Sequence, residues 1–430
     1  MAFALTIISL ALLLVLGIPI AISLLISGMI GYMQIIGFQP GMDALANTAY
    51  HSIENFVIIA IPLYILMGQI MLKGGSGQDL FDLAQRATKR LPGGLAVAST
   101  LASAIFAAIS GSSTATAATI GAISIPEMLR RGYDRRMSAG VVAVSGSLGI
   151  LIPPSISFIL YSLVTDTSVG KLFLAGIMPG IMLAVLFSLY SLVSSAFRAS
   201  HRSAATQTDP LPDTPLTWGM LGSLLIIPLV LGGIYLGIFT PTEAAGVGVV
   251  YALVLTAFFK RTMSWKLLWA AARDSVVTSS LILMLIAGAS VFGNTLSLLR
   301  VPQNVAMWLD GMHLGAMQFL VAVNFLYLIL GMFMDASAAI LVTVPILLPA
   351  LQALNIDLIW FGVILVINME IGAVTPPLGM NLFVVKAIQE DFSLREILMG
   401  SLPYAGMGLV GLVLVMMFPQ IALWLAGAGG

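Results

Sequence analysis

Apolar residues fall in runs long enough to cross a bilayer, parted by short polar joints. A span needs about 20 apolar residues, and such runs lie at 3–31, 54–72, 137–164, 171–197, 217–239, 243–259, 275–299, 358–388 and 396–427. The pattern predicts an all-α polytopic membrane protein. Two more runs, 94–128 and 315–351, are too long for one span. Each reads as two spans or as one re-entrant helical hairpin. Their midpoints favour the hairpin: Gly111-Ser112-Ser113-Thr114 and Met334-Asp335-Ala336-Ser337 are small, polar turn-formers. At membrane depth such backbone is tolerated only where protein or a polar cavity surrounds it. Two hairpins meeting tip to tip from opposite faces meet that condition. Met1 to Ile30 has no basic residue before its apolar stretch, so it reads as the first span and not as a cleaved signal.

Charge gives the runs a direction. The first long run is flanked by Lys73, Arg86, Lys89 and Arg90 before it and by Arg130, Arg131, Arg135 and Arg136 after it. Positive residues mark cytoplasmic loops, so both its ends belong on the cytoplasmic side. The second long run is flanked by Arg300, Asp310 and Asp357 and belongs on the other side. Arg198, Arg202, Lys260, Arg261, Lys266 and Arg273 fall cytoplasmic, while 32–53, 165–170, 240–242 and 300–314 fall outside. Nine crossings then lead from inside to outside. The amphipathic stretch Gln78–Arg90 sets Leu80, Phe81, Leu83 and Ala84 opposite its charges and reads as an arm along the cytoplasmic surface.

The halves repeat. Gly68, a polar-tipped hairpin, Pro126 and the pair Pro153-Pro154 are matched by Gly288, a hairpin, Pro345 and the pair Pro376-Pro377. Glycine to single proline is 58 and 57 residues; glycine to proline pair is 85 and 88. The unpaired span 217–239 supplies the odd crossing that inverts the second half. The organisation is a first inverted repeat over 1–197 with its cytoplasmic-side hairpin 94–128, a linker and connecting span over 198–239, and a second repeat over 240–430 with its periplasmic-side hairpin 315–351. Weak repeats of opposite topology are a transporter signature.

Composition agrees and excludes other classes. Of 430 residues, 18 are Lys or Arg and 18 Asp or Glu, only 8% charged against 59% hydrophobic. An ordinary soluble protein carries roughly 25% charge. The net charge is zero without a basic stripe, against nucleic-acid binding. There is no cysteine, hence no thiolate chemistry. His51, His201 and His313 are far apart in polar joints and read as solvated loop residues.

Chemistry concentrates at the breaks. Adjacent prolines remove two N–H donors and clash with the preceding turn, so the helix must stop. At Gly149 to Ser155 and at Gly372 to Gly379 this frees carbonyls near Ser or Thr hydroxyls, a suitable set for a hard cation such as Na+. The half-helix beyond each break offers its positive N-terminus to an anion. The first tip, Ser110 to Thr116, is rich in hydroxyls. Asp335 at the second tip is a costly intramembrane carboxylate and also a natural N-cap. Asn368, Glu370 and Asn381 flank the second proline pair, and Glu370 and Asn381 are expected near the cavity. Thr240-Pro241-Thr242-Glu243 reads as a helix start. The substrate set is therefore Ser112, Ser113, Thr114, Pro154, Ser155, Asp335, Pro377 and Asn381.

At Ala60 to Gly68, Gly111 to Gly121, Leu148 to Ser155, Thr240 to Ala245 and Thr375 to Gly379 the chain resembles the DctM-like large membrane subunit of TRAP (tripartite ATP-independent periplasmic) transporters. The resemblance implies the ion-transporter superfamily and an elevator-type motion. It implies Na+ symport, with two or more ions, of a small organic acid such as a C4-dicarboxylate or sialic acid. It also implies a periplasmic substrate-binding protein, a separate four-helix membrane subunit and a place in the bacterial inner membrane. The first sodium site then uses Ser110, Gly149, Ile152 and Pro153, and the second Gly331, Gly372, Thr375 and Leu378. The other readings are an intramembrane aspartyl-type enzyme, which needs two carboxylates in one site, and a passive channel. Asp335 and Glu370 are the only deep carboxylates, and no filter segment is apparent.

Overall fold

A computed structural model of the chain describes residues 2–199, 215–311 and 315–428, all helix and connecting turns. His201 and His313, Arg202 and most of the polar linker lie outside the described residues. Among the described residues, eight helices are long and apolar enough to cross a membrane.

The first apolar run is not one continuous helix. Gly17 and Pro19 divide it into helices Ala2–Val15 and Ile20–Ile36, because Gly17 takes a φ of 76° and Pro19 cannot donate to a preceding turn. The segment after it is helical too, Phe38–Ile53, and its exposed His51 sits on that helix and not in a loop. The last run is likewise interrupted, into Leu394–Met417 and Gln420–Ala428, with Pro419 at the joint.

The two overlong runs are helix pairs: Gly94–Ser110 with Ser113–Arg130, and Ala316–Phe333 with Ala336–Ala353. The proline-pair runs are broken helices. The first is Arg135–Ser147 and a short 3-10 turn, then Ile156–Thr165. The second is Leu358–Gly372, then Met380–Ile388. Both proline pairs are joined by cis peptide bonds.

Packing sorts the helices into two bodies. In one, Ile20–Ile36 packs on the long helix Trp265–Leu298, and Pro241–Val254 packs on Ala60–Lys73. In the other, the helix pairs and broken helices pack with one another and with Val169–Ala199 and Leu394–Met417. The seam is tight where Ala60–Lys73 meets the first pair: a β-carbon on Gly68 would lie 3.1 Å from the Ile109 carbonyl.

The arm Ser76–Thr88 buries Leu80, Phe81 and Ala84. It lies against helix Gly94–Ser110 and is bound to the first body. Lys260 Nζ meets Asp79 Oδ2 at 2.5 Å, and Ser223 donates to the same oxygen at 3.0 Å. Most of the basic side chains gather with this arm at one end of the molecule. There Lys73 pairs with Asp274 at 2.8 Å, and Arg131 with Glu127 at 2.8 Å. At the same end Arg135 stacks 4.7 Å over the Phe392 ring. Lys171 and Arg300 stand apart at other helix joints.

Candidate substrate and cation site

Each helix pair turns on a cap. Gly111 ends the first arm at a φ of 60°, a conformation glycine adopts without steric cost. Ser112 then caps the return helix, accepting from the Ala115 N–H at 3.4 Å. In the second pair the same position is Asp335, which accepts from the Ser337 N–H at 2.8 Å. The carboxylate is thus the cap and an exposed group at the tip.

Behind the first tip three oxygens converge. Ser110 Oγ lies 2.7 Å from Thr116 Oγ1. Thr116 donates to the Ser112 carbonyl at 2.8 Å, and Ser110 does so at 3.3 Å. The broken helix closes on this cluster. A β-carbon on Gly149 would lie 2.4 Å from the Ser112 carbonyl oxygen, so only glycine permits the approach. Ser155 caps the far half-helix and donates to the Ile150 carbonyl. Pro153, Pro154 and Ser155 are buried, and Ile152 packs on Gly180.

The second break has a backbone contact in the same place. Gly331, on the arm leading to the tip, meets Gly372, where a β-carbon would sit 2.5 Å from the Gly331 Cα. Thr375 Oγ1 donates to the Ile371 carbonyl at 2.6 Å. Pro377 and Leu378 are exposed, the latter by 47%.

Both tips line one cavity of about 670 Å³. Ser112, Ser113, Thr114 and Asp335 of the expected substrate set are on its wall, as is Ser110 of the ion set. Pro154, Ser155 and Asn381 lie behind the wall, and Pro377 lies elsewhere on the surface. Asn381 ties the site together: it accepts from Ser113 Oγ at 2.9 Å and donates to the Ala143 carbonyl at 2.9 Å. Glu370 is buried and off the wall, facing the Ser147 hydroxyl. Met369 and Ala373 are the wall residues of that helix. They are four apart and share a face, whereas Glu370 is about 100° round from Met369. Gln69, Ser157, Thr278 and Ser337 also line the cavity. Ser337 belongs to the second tip and Ser157 follows the first break, whereas Gln69 and Thr278 stand mid-helix with no break to single them out. No Lys or Arg is on the wall, so an anion there meets hydroxyls and the N–H groups of two helix starts.

A multi-pass, all-helical chain with two broken helices and two helix pairs whose tips meet at one cavity is a membrane transport protein. Residues 7–421 match the model of the tripartite ATP-independent periplasmic transporter, DctM component, and the chain belongs to that family. It is a multi-pass protein of the bacterial inner membrane and a transporter, not an enzyme. It is 38% identical over 399 residues to the C4-dicarboxylate TRAP transporter large permease protein DctM of Pseudomonas aeruginosa, covering 92% of each chain. It is 37% identical over 419 residues to the isethionate TRAP transporter permease protein DctMQ of Oleidesulfovibrio alaskensis, covering 97% of this chain and 65% of that one. Among solved structures, the Alcanivorax borkumensis YdaH transporter shares the fold. Its TM-score is 0.64 at 16% identity, over 91% of this chain and 90% of that one.

Proposed function

We propose that this chain is the large membrane subunit of a Na+-coupled importer of a small organic acid, working as an elevator. The observation that carries the reading is the meeting of both tips at one cavity, each tip backed by a glycine-lined break. Sodium is held at two places. Ser110, Thr116 and the backbone of Ser112, Gly149, Ile152 and Pro153 supply the first. The backbone of Gly331, Gly372 and Leu378, with Thr375, supplies the second. Hard cations take such oxygen ligands. Ser112, Ser113, Thr114 and Asp335 face the acid; Pro154, Ser155, Pro377 and Asn381 hold the breaks and tips in register.

The halves are inverted repeats over 1–197 and 240–430, joined by 198–239. Support comes from one constant offset of 223 residues, which relates Ser112 to Asp335, Gly149 to Gly372 and Pro153 to Pro376. Inter-helix hydrogen bonds follow within one residue: Ser145 donates to Thr100 at 3.0 Å, and Asn368, 223 residues on, donates to Asn324, 224 on, at 2.5 Å. Both ends of the first pair lie at the basic end and read as cytoplasmic, and its polar tip on the cavity wall supports a re-entrant hairpin. The second pair enters from the outside. The body of hairpins and broken helices slides against the other, which stays fixed.

The acid is delivered by a periplasmic binding protein, and a small four-helix membrane subunit completes the system. The isethionate relative, about a third of which lies outside the match, supports that division. C4-dicarboxylates, isethionate and sialic acid are the acids to test. Reconstituted with both partners, the complex takes up the acid only under an inward sodium gradient. Equal uptake without sodium overturns the coupling, and conductance without coupling restores the channel.

A further inference from the structure

The long helix Trp265–Leu298 lines two cavities. Thr278, Leu281, Ile282 and Leu285 border the cavity between the tips, and Ser290, Gly293, Asn294 and Ser297 border a second, of about 560 Å³. Within each group the spacing keeps the residues on one side of the helix, and the two sides are about 120° apart. The two groups are centred about 12 residues apart, or roughly 18 Å along the helix. The facing arm behaves the same way: Ala336 and Ser337 border the first cavity, Leu341 and Pro345 the second. Both cavities therefore lie on the seam between the two bodies, and the second lies toward the outer end.

Its wall is more polar than a lipid-facing seam requires. Asn47, Thr48 and His51 of helix Phe38–Ile53 face Ser290, Asn294 and Ser297 across it. Thr48 Oγ1 lies 3.2 Å from Tyr32 Oη and 3.5 Å from Asn294 Nδ2. His51 Nδ1 lies 3.0 Å from Glu54 Oε2. Amide and hydroxyl donors in a cavity of this size suit the oxygens of a carboxylate or sulfonate.

We infer that this outer cavity is a second subsite for the organic acid on the fixed body, met when the tips ride outward along this helix. The inference rests on the elevator reading above. In that position the acid is held between Ser112 and Asp335 on the moving tips and Thr48 and Asn294 on the fixed wall.

The natural chain has no cysteine, so paired replacements report directly. In the complete reconstituted complex, Ser337→Cys with Thr278→Cys should cross-link through a short bismaleimide in the conformation described here. Ser337→Cys with Asn294→Cys should cross-link as well, once sodium is present outside. In parallel, uptake of succinate, isethionate and sialic acid is compared, and the acid carried fastest is used. Asn294→Ala and Thr48→Ala should each raise KM for uptake from outside about tenfold, with kcat kept within twofold and KM for efflux unchanged; Thr48→Ser should restore uptake. A transporting complex in which the Ser337–Asn294 pair never links overturns the subsite. So does linkage without a change of outside KM, or an equal change of KM on both sides. If none of the three acids is carried by the unmodified complex, the functional reading fails instead, and the cross-links still report whether the tips travel.

Discussion

Gly331 and Gly372 touch backbone to backbone, with a β-carbon on Gly372 placed 2.5 Å from the Gly331 Cα. The contact joins the second tip's arm to the second break, and nothing larger than hydrogen fits between them. Gly372→Ala therefore pushes the carbonyls of the proposed second sodium site apart. Overpacking of this kind costs about 1–3 kcal/mol. The half-saturating sodium concentration should rise about tenfold or more in protein that still assembles. A sodium titration of uptake that matches the parent in folded Gly372→Ala would remove that site from the mechanism.

At the first tip the hydroxyls are the test. Ser110→Ala and Thr116→Val each delete one oxygen of the cluster around the Ser112 carbonyl. A hydrogen bond or ligand to a charged group is worth about 1.5–3 kcal/mol. Sodium affinity should fall by about ten- to a hundredfold, whereas Thr116→Ser should keep it. Isothermal titration with sodium chloride in detergent reads this directly, and unchanged affinity in both deletions excludes the cluster.

Asn381 makes a structural prediction. Asn381→Leu leaves the Ala143 carbonyl and the Ser113 hydroxyl without their partner in a buried place. An unsatisfied buried polar group costs about 1–3 kcal/mol. The melting temperature should drop, and Ser113→Ala introduced on top should cost less than it does alone. Additive losses in that double-mutant cycle would show that the two side chains act independently.

The arm offers a charge-swap experiment. Lys260 and Asp79 are only 7% and 18% exposed, and removing one partner of a buried pair costs about 3–5 kcal/mol. Asp79→Asn or Lys260→Met should destabilise the protein. Asp79→Lys with Lys260→Asp should recover part of the loss, as judged by thermal unfolding. A swap no better than the worse single variant would show that the pair's surroundings, and not its attraction, set the stability.

One helix start offers a capping test. Thr240 Oγ1 accepts from the Glu243 N–H at 3.3 Å, and the Thr240 N–H donates to the Glu243 carboxylate at 2.8 Å. Losing such a cap costs about 0.5–2 kcal/mol. Thr240→Ala should therefore lower the melting temperature, and Thr240→Ser should keep it. An unchanged melting temperature in Thr240→Ala would show that the cap contributes nothing.

Much of this was legible in the sequence because bilayer spans and proline pairs are strong physical signals. The helix pairs, their tips and the breaks at Pro153 and Pro376 come from chain chemistry that allows few alternatives. The start at Thr240 is likewise a capping box with Pro241 inside it. The N-terminal split at Gly17 and Pro19 was less legible, because an apolar run hides a turn whose flanks are equally greasy. The wall residues Gln69 and Thr278 were silent for another reason. They belong to the facing body, and only tertiary packing brings them to the tips. Glu370 shows the converse: a carboxylate near a break suggests a site residue, yet a rotation of about 100° turns it off the cavity wall.

The exchange of packing partners between the two ends of the chain has one more consequence. Ile20–Ile36 rests on Trp265–Leu298, and Ala60–Lys73 rests on Pro241–Val254. Each half thus draws part of its core from the other. A chain severed in the polar linker should behave as an obligate heterodimer: two fragments synthesised together would reassemble, and either fragment made alone would be an orphan subunit, cleared by membrane proteolysis.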